Sequence, residues 1–181
     1  MKKILFLLVG LFLGEGASAQ VWDKTYPGTQ YLFCLPTIQC YDPGIAIAQY
    51  FNGSNSCSIM KTYVNGNVIF RSYLLPDSSS YQCINTTADG GFILGGTTSY
   101  GYSSNHTFLL KLNACGQKEW SAFYADRNME NNYVNDVHQL KDGGYIMTID
   151  QYNNGDAVCR LDSTGKSLWT IVINGGNFTN I

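Results

Sequence analysis

The chain is written in short runs of mixed apolar and polar residues, and no segment shows an apolar period of the helical kind. Between Trp120 and Trp169 the runs are "WSAFYA" (120–125), "NDVHQL" (135–140), "GYIMTIDQ" (144–151) and "AVCRLD" (157–162), punctuated by the turns "KDGG" and "STGK". Four such runs predict four strands. Asp-Gly and Asn-Gly pairs, including Asn65-Gly66, favour hairpins because glycine supplies the positive φ that a tight turn needs. The amino terminus breaks this pattern. Lys2 and Lys3 precede an apolar run, Ile4 to Leu13, broken only by Gly10, and "ASA" at 17–19 follows. That is the outline of a secretory signal peptide over residues 1–19, with cleavage expected after Ala19. The run falls far short of the roughly 20 apolar residues of a spanning helix. Residues 20–181 are therefore read as one exported domain, passing through the Sec pathway and periplasm to the cell surface or the medium, with no membrane span after cleavage.

The strand pattern repeats. Trp22, Phe70, Trp120 and Trp169 fall 48, 50 and 49 residues apart and open the segments "WDKTY", "FRSYL", "WSAFY" and "WTIVI". Nine residues before the last three stand Lys61, Lys111 and Arg160; four before them stand Gly66, Gly116 and Gly165. "LNACGQKEW" (112–120) and "LDSTGKSLW" (161–169) write one turn twice, with Asn113 and Asp162 three residues before the glycine. A second column lies in mid-repeat. "ADGGFILGGTT" (88–98) matches "KDGGYIMTID" (141–150), aligning Asp89, Gly90 and Gly91 with Asp142, Gly143 and Gly144; "YDPGIAIAQY" (41–50) is a weaker copy around Asp42. Cut at the aromatic, the repeats run over about 22–69, 70–119 and 120–168, and 169–181 opens a fourth. Four short antiparallel strands per unit of about 50 residues is the signature of a β-propeller blade. The expected fold is all-β, with about three four-stranded blades plus the start of a fourth, an open or partial propeller. A β-sandwich built of hairpins is the alternative, but it has no reason to repeat at a fixed period. The column aromatic is expected where one blade packs on the next.

Composition adds exclusions. Removing residues 1–19 takes the formal charge from −2 to −3. A weak negative charge leaves no electrostatic footprint for nucleic acid or anionic lipid. Cys34, Cys40, Cys57, Cys83, Cys115 and Cys159 all follow the leader, in a compartment that permits disulfides. Six cysteines allow fifteen pairings. Cys34 and Cys40, close in sequence within one repeat, are the best candidates for a bridge. Cys159 holds the strand position of Met60 and Leu110 and reads as a buried hydrophobe. Cys115 holds the turn position of Asn65 and Thr164 and reads as exposed. There is no CxxC and no Cys/His spacing of the zinc type.

The best copy, "DGGFILGGTTSYGYSSNHTFLLKLNACGQKEW" (89–120), resembles the secreted β-propeller repeats of bacteria of the Bacteroidota type. The resemblance covers nearly all of residues 20–181, and weakens in the first repeat, where "DPG" replaces "DGG". "NGG" at Asn174, Gly175 and Gly176 resembles the tight glycine pair that follows the first strand in such repeats. It implies a large extracellular protein of unassigned function, many of whose relatives carry a C-terminal sorting domain for type IX secretion. Three repeats and the opening of a fourth do not close a ring of four to eight blades. The expectation is either a fragment of a longer protein or self-association through open blade edges. "DSTG" also resembles the tryptophan-docking turn of quinoprotein propellers, displaced by one residue, but no quinone-binding constellation accompanies it.

No catalytic constellation is visible. His106, in a Ser/Asn-rich stretch, reads as a solvated loop residue and His138 as a partly buried strand residue. Residues 20–181 hold two glutamates, Glu119 and Glu130, and most aspartates stand in turns. Asp89 and Asp142 are expected to bond turn backbone, against the paired carboxylates of a glycosidase. "NNGD" (153–156) is too thin for calcium. The polar loops "TSYGYSSNHT" (98–107) and "ADRNMENNY" (125–133) carry Tyr and Asn of the kind that contact glycans or proteins. The reading is an exported, non-catalytic binding or cell-surface scaffold with no cofactor and a protein or glycan ligand. The alternative is part of an extracellular, glycan-acting enzyme whose catalytic residues lie in other blades.

Overall fold

The computed structural model of the chain describes residues 24, 26, 36–51, 56–75, 79–99, 105–124, 132–151 and 155–173. The described residues form twelve strands and no helix. β1 (Thr37–Gln39), β2 (Gly44–Phe51), β3 (Ser56–Tyr63) and β4 (Val68–Leu75) make the first sheet. β5 (Ser79–Thr86), β6 (Phe92–Ser99), β7 (Asn105–Leu112) and β8 (Lys118–Tyr124) make the second. β9 (Asn132–Gln139), β10 (Tyr145–Gln151), β11 (Gly155–Leu161) and β12 (Ser167–Ile173) make the third. Each sheet is an antiparallel meander in chain order. The result is an open stack of three propeller-type blades, as the repeat predicts.

The aromatic column, however, closes each sheet. Phe70, Trp120 and Trp169 lie on β4, β8 and β12, the last strand of each meander. A repeat counted from aromatic to aromatic therefore straddles two sheets. Trp169, read as opening a fourth repeat, lies on the outer strand of the third sheet; residues 174–181, with the "NGG" pair, lie outside the described residues. Sequence periodicity gives a unit's length and leaves its phase open, and phase is set by which strands pair.

The core is two seams between sheets. On one side of the second sheet Phe92, Leu94, Leu110 and Leu112 pack with Ala46, Ala48 and Ile59 of the first. On the other, Ile93 and Leu109 pack with Tyr145, Met147 and Leu161 of the third. A sheet covered on both faces needs apolar residues at successive positions, which is why β6 reads "FIL" without alternation.

The column aromatic locks each seam. Phe70 meets Phe92 edge-on at 6.5 Å and 66°, and Trp120 meets Tyr145 at 5.6 Å and 74°. Each ring also covers a glycine of the next sheet's last turn. A Cβ on Gly116 would stand 2.3 Å from the Phe70 ring, and one on Gly165 would stand 2.8 Å from Trp120. Both glycines have φ near +80° (75° and 83°), a region costly for other residues. Asn113 Oδ1 accepts from the Cys115 and Gln117 amides, and Asp162 Oδ1 accepts from Thr164 and Lys166, so the two turns are built alike. Tyr124 adds a hydroxyl bond to the Gly165 carbonyl. Tyr26 makes the same bond to the Gly66 carbonyl at 2.9 Å. Trp22 itself lies outside the described residues.

The two sequence columns meet in a repeated ion pair. Lys61 reaches Asp42 at 2.8 Å, Lys111 reaches Asp89 at 2.7 Å, and Arg160 reaches Asp142. The cations are buried, with side-chain exposures of 7%, 3% and 13%, while their aspartates stay half exposed. Lys111 also bonds Glu119 at 2.9 Å and the Leu112 carbonyl at 2.9 Å, which a buried ammonium requires. Across the ladder these cations pair with Phe70, Trp120 and Trp169. The carboxylates bond their turns as expected, Gly91 N to Asp89 at 3.0 Å and Gly144 N to Asp142 at 3.1 Å. Burial opposes ionisation of Asp89, but bonds from Lys111, Thr87 and Gly91 outweigh it and hold the carboxyl near 2, down from 3.8. At Asp142 the Gly144 amide, aided by Arg160, lowers the carboxyl in the same direction.

The cysteines divide as their positions suggest, with one exception. Cys159 is buried and Cys115 is exposed. Cys40, one partner of the expected bridge, has a free thiol buried beside the first seam, and Cys34 lies outside the described residues.

Gly143 shares the 83° φ of Gly165, but an added Cβ there meets nothing within 4 Å. Gly165→Ala should therefore destabilise the fold by about 1–3 kcal/mol more than Gly143→Ala, since both incur backbone strain and only one intrudes on Trp120. Urea unfolding of the two variants checks this, and equal losses would remove the seat from the account. The Asp89 pKa is depressed on folding, so its stabilisation is complete above about pH 4 and fades as pH falls toward 2. Because the carboxyl is half exposed, the discounted effect is at most about 1 kcal/mol. Asp89→Asn should flatten the pH dependence of stability in that window.

Candidate functional site

The first strands of the three sheets, β1, β5 and β9, come together and line a cavity of about 310 Å³. β1 supplies Thr37 and Ile38, β5 supplies Gln82 to Asn85, and β9 supplies Asn135, Asp136 and His138, with Pro36 beside them. Among the described residues the lining carries no lysine or arginine.

Two β-bulges aim this wall. Tyr81 pairs with Gly96 and Cys83 with Gly95, which leaves Gln82 as an extra residue on β5. Asp136 pairs with Thr148 and Val134 with Ile149, which leaves Asn135 extra on β9. The bulges hold equivalent positions in their sheets. A bulge turns a side chain out of the ladder, and here both extra residues line the cavity. Gln82 spends its amide on Ser80 Oγ at 3.0 Å and Thr97 Oγ1 at 2.9 Å. Its buried Oε1 has no partner among the described residues.

Asp136 is the electrostatic centre, only 8% exposed. Its Oδ1 accepts from Asn85 Nδ2 at 2.9 Å and from the Val137 amide at 2.8 Å. Asn85 is tied to the Val137 carbonyl by a further 2.9 Å bond. The other carboxylate oxygen lies 2.9 Å from His138 Nε2. An ionised carboxylate only accepts, so Nε2 carries the proton and Nδ1 stays open to a ligand. An oriented histidine of this kind can move a proton only for a nucleophile within reach. Cys83 does not serve. Burial, reinforced by the charge of Asp136, pushes its thiol up to about 12, and a protonated thiol is a poor nucleophile. What the cavity offers is the Asp136 carboxylate, held by its own hydrogen bonds, and His138 Nδ1, while the unpartnered Gln82 Oε1 is buried in the wall.

None of the repeat positions among the described residues lines this cavity. Phe70, Trp120, the glycine turns and the Asp-Gly-Gly turns belong to the seams and their edges. His138 is a β9 residue, as its sequence context suggests. His106 is not in a loop: it lies on β7, opposite Thr98, and is half-buried. Most of the two polar loops, residues 100–104 and 125–131, falls outside the described residues. Sequence reading missed the cavity because its residues differ from strand to strand. The one available signal was position, since Gln82 and Asn135 each fall seven residues before the Asp of an Asp-Gly-Gly turn. Among the described residues no group of three or more His, Cys, Asp or Glu is placed to hold a metal ion, and no helix is long and apolar enough to cross a membrane.

Asn85→Ala removes one of the two donors to a buried carboxylate oxygen and should cost about 1–3 kcal/mol. His138→Ala, at a half-exposed side chain, should cost less than about 1 kcal/mol. Chemical denaturation of both variants tests whether the cavity wall is held in this order. Comparison of the chain with protein-family models finds no match, and comparison with curated proteins finds none.

Proposed function

We propose that the chain is an exported, non-catalytic binding scaffold of the propeller-repeat type, and that it holds a polar ligand, a glycan or a segment of protein, in the cavity between β1, β5 and β9. One observation carries this reading. The cavity wall carries an oriented Asn85–Asp136–His138 set that leaves His138 Nδ1 to a ligand, with its one described thiol kept protonated. Donor-rich ligands such as sugar hydroxyls or amide N–H groups suit it. The leader-like residues 1–19 support export. A second reading keeps the Asp136–His138 pair as half of an acid–base apparatus in a glycan-acting enzyme whose nucleophile and substrate contacts come from other blades.

The test is a glycan and peptide array probed with the purified protein, followed by calorimetry on the hits. His138→Ala should weaken binding by about tenfold, the equivalent of one hydrogen bond of about 1.4 kcal/mol, with the melting temperature little changed. Turnover of an array glycan that disappears in His138→Ala would favour the enzyme and set the scaffold aside.

A further inference from the structure

The outward face of the third sheet repeats a surface that the chain covers twice. On the first sheet Ala46, Ile59 and Phe70 face the second sheet; on the second, Ile93, Leu109 and Trp120 face the third. By register the same positions on the third sheet are Ile146, Val158 and Trp169, with Arg160 between them as Lys61 and Lys111 are on the others. Where a neighbour covers them, Ile59, Ile93 and Leu109 are fully buried. Ile146 and Val158 are only partly buried, and Trp169, Ile171 and Ile173 are exposed by 45%, 54% and 37%. Contiguous apolar surface of this kind marks an interaction site.

We propose that this face docks another sheet of the same repeat, which seats a left-handed glycine of its last turn on the Trp169 ring and places an aromatic against its edge, as Gly165 and Tyr145 do for Trp120. The occupant is not a second copy of the chain. The equivalent seat on the first sheet, Gly66, already takes the Tyr26 hydroxyl of its own chain, the bond that Tyr124 makes to Gly165. A docking sheet must therefore bring a glycine seat of its own. This inference is independent of the cavity and of what the cavity binds.

The test inserts a second copy of residues 125–173 directly after Ile173 in the full chain. Ile173 stands four residues past Trp169, as Tyr124 stands four past Trp120, so the insert begins where the third unit naturally does. Hydroxyl-radical labelling with mass spectrometry then reads oxidation of the first-copy Trp169 and Ile171. Several-fold protection is expected in the extended protein, and Gly165→Val placed in the inserted copy alone should abolish it. Equal labelling with and without the insert, folded or not, would overturn the proposal. Protection in the parent chain that grows with its concentration would overturn it too, since the occupant would then be a second copy.

Discussion

The stack depends on one contact, an aromatic ring laid over a glycine that no other residue could replace. Phe70 on Gly116 and Trp120 on Gly165 join steric demand and backbone demand at one point. The ring needs a surface without a Cβ, and the turn needs a positive φ. Because both demands fall on the same residue, the outer strand of one sheet and the last turn of the next specify each other. Flat sheet faces would otherwise tolerate sliding, since apolar packing alone is non-directional. The edge-on rings at Phe92 and Tyr145 fix the remaining freedom.

Behind each ring lies a buried cation. Lys61, Lys111 and Arg160 sit across the ladder from the aromatic and send their charge to an aspartate in the turn that leads into the neighbouring strand. Burying an ammonium is costly unless every proton finds an acceptor. Lys111 meets that condition with two carboxylates and a carbonyl. The aspartate turn can lie close enough because its second glycine has no side chain: a Cβ on Gly91 would stand 2.2 Å from the Leu112 carbonyl. The basic column and the aspartate-turn column are thus two ends of one interaction spanning the second and third strands of each sheet. Lys61 adds a contact between sheets, with its ammonium 5.8 Å from the Phe92 ring centre.

The cavity follows a different logic. Its walls are the first strands, which lie away from the aromatic seats, and there the repeat relaxes. Where β5 has Cys83 and Asn85, β9 has Asp136 and His138. Each position is then free to carry a different polar group, and the Asn85–Asp136–His138 set is assembled across two sheets, with Asn85 standing 51 residues before Asp136. The bulges at Gln82 and Asn135 are the one feature the two strands keep in common, which ties them to the geometry of the wall.

What the sequence determined by itself was the unit: its length, its four strands, its two glycine turns and the aromatic at each seam. These were legible because a packing demand met identically in every sheet must be written identically each time. Tertiary structure decided what identity between copies does not encode. Strand pairing placed the aromatic at the end of each sheet. Strand pairing within each sheet joined the basic and acidic columns into ion pairs. Backbone placement put His106 on a strand. The cavity lay furthest from the sequence, because its residues are alike only in facing one space, and that space exists only once three first strands stand side by side.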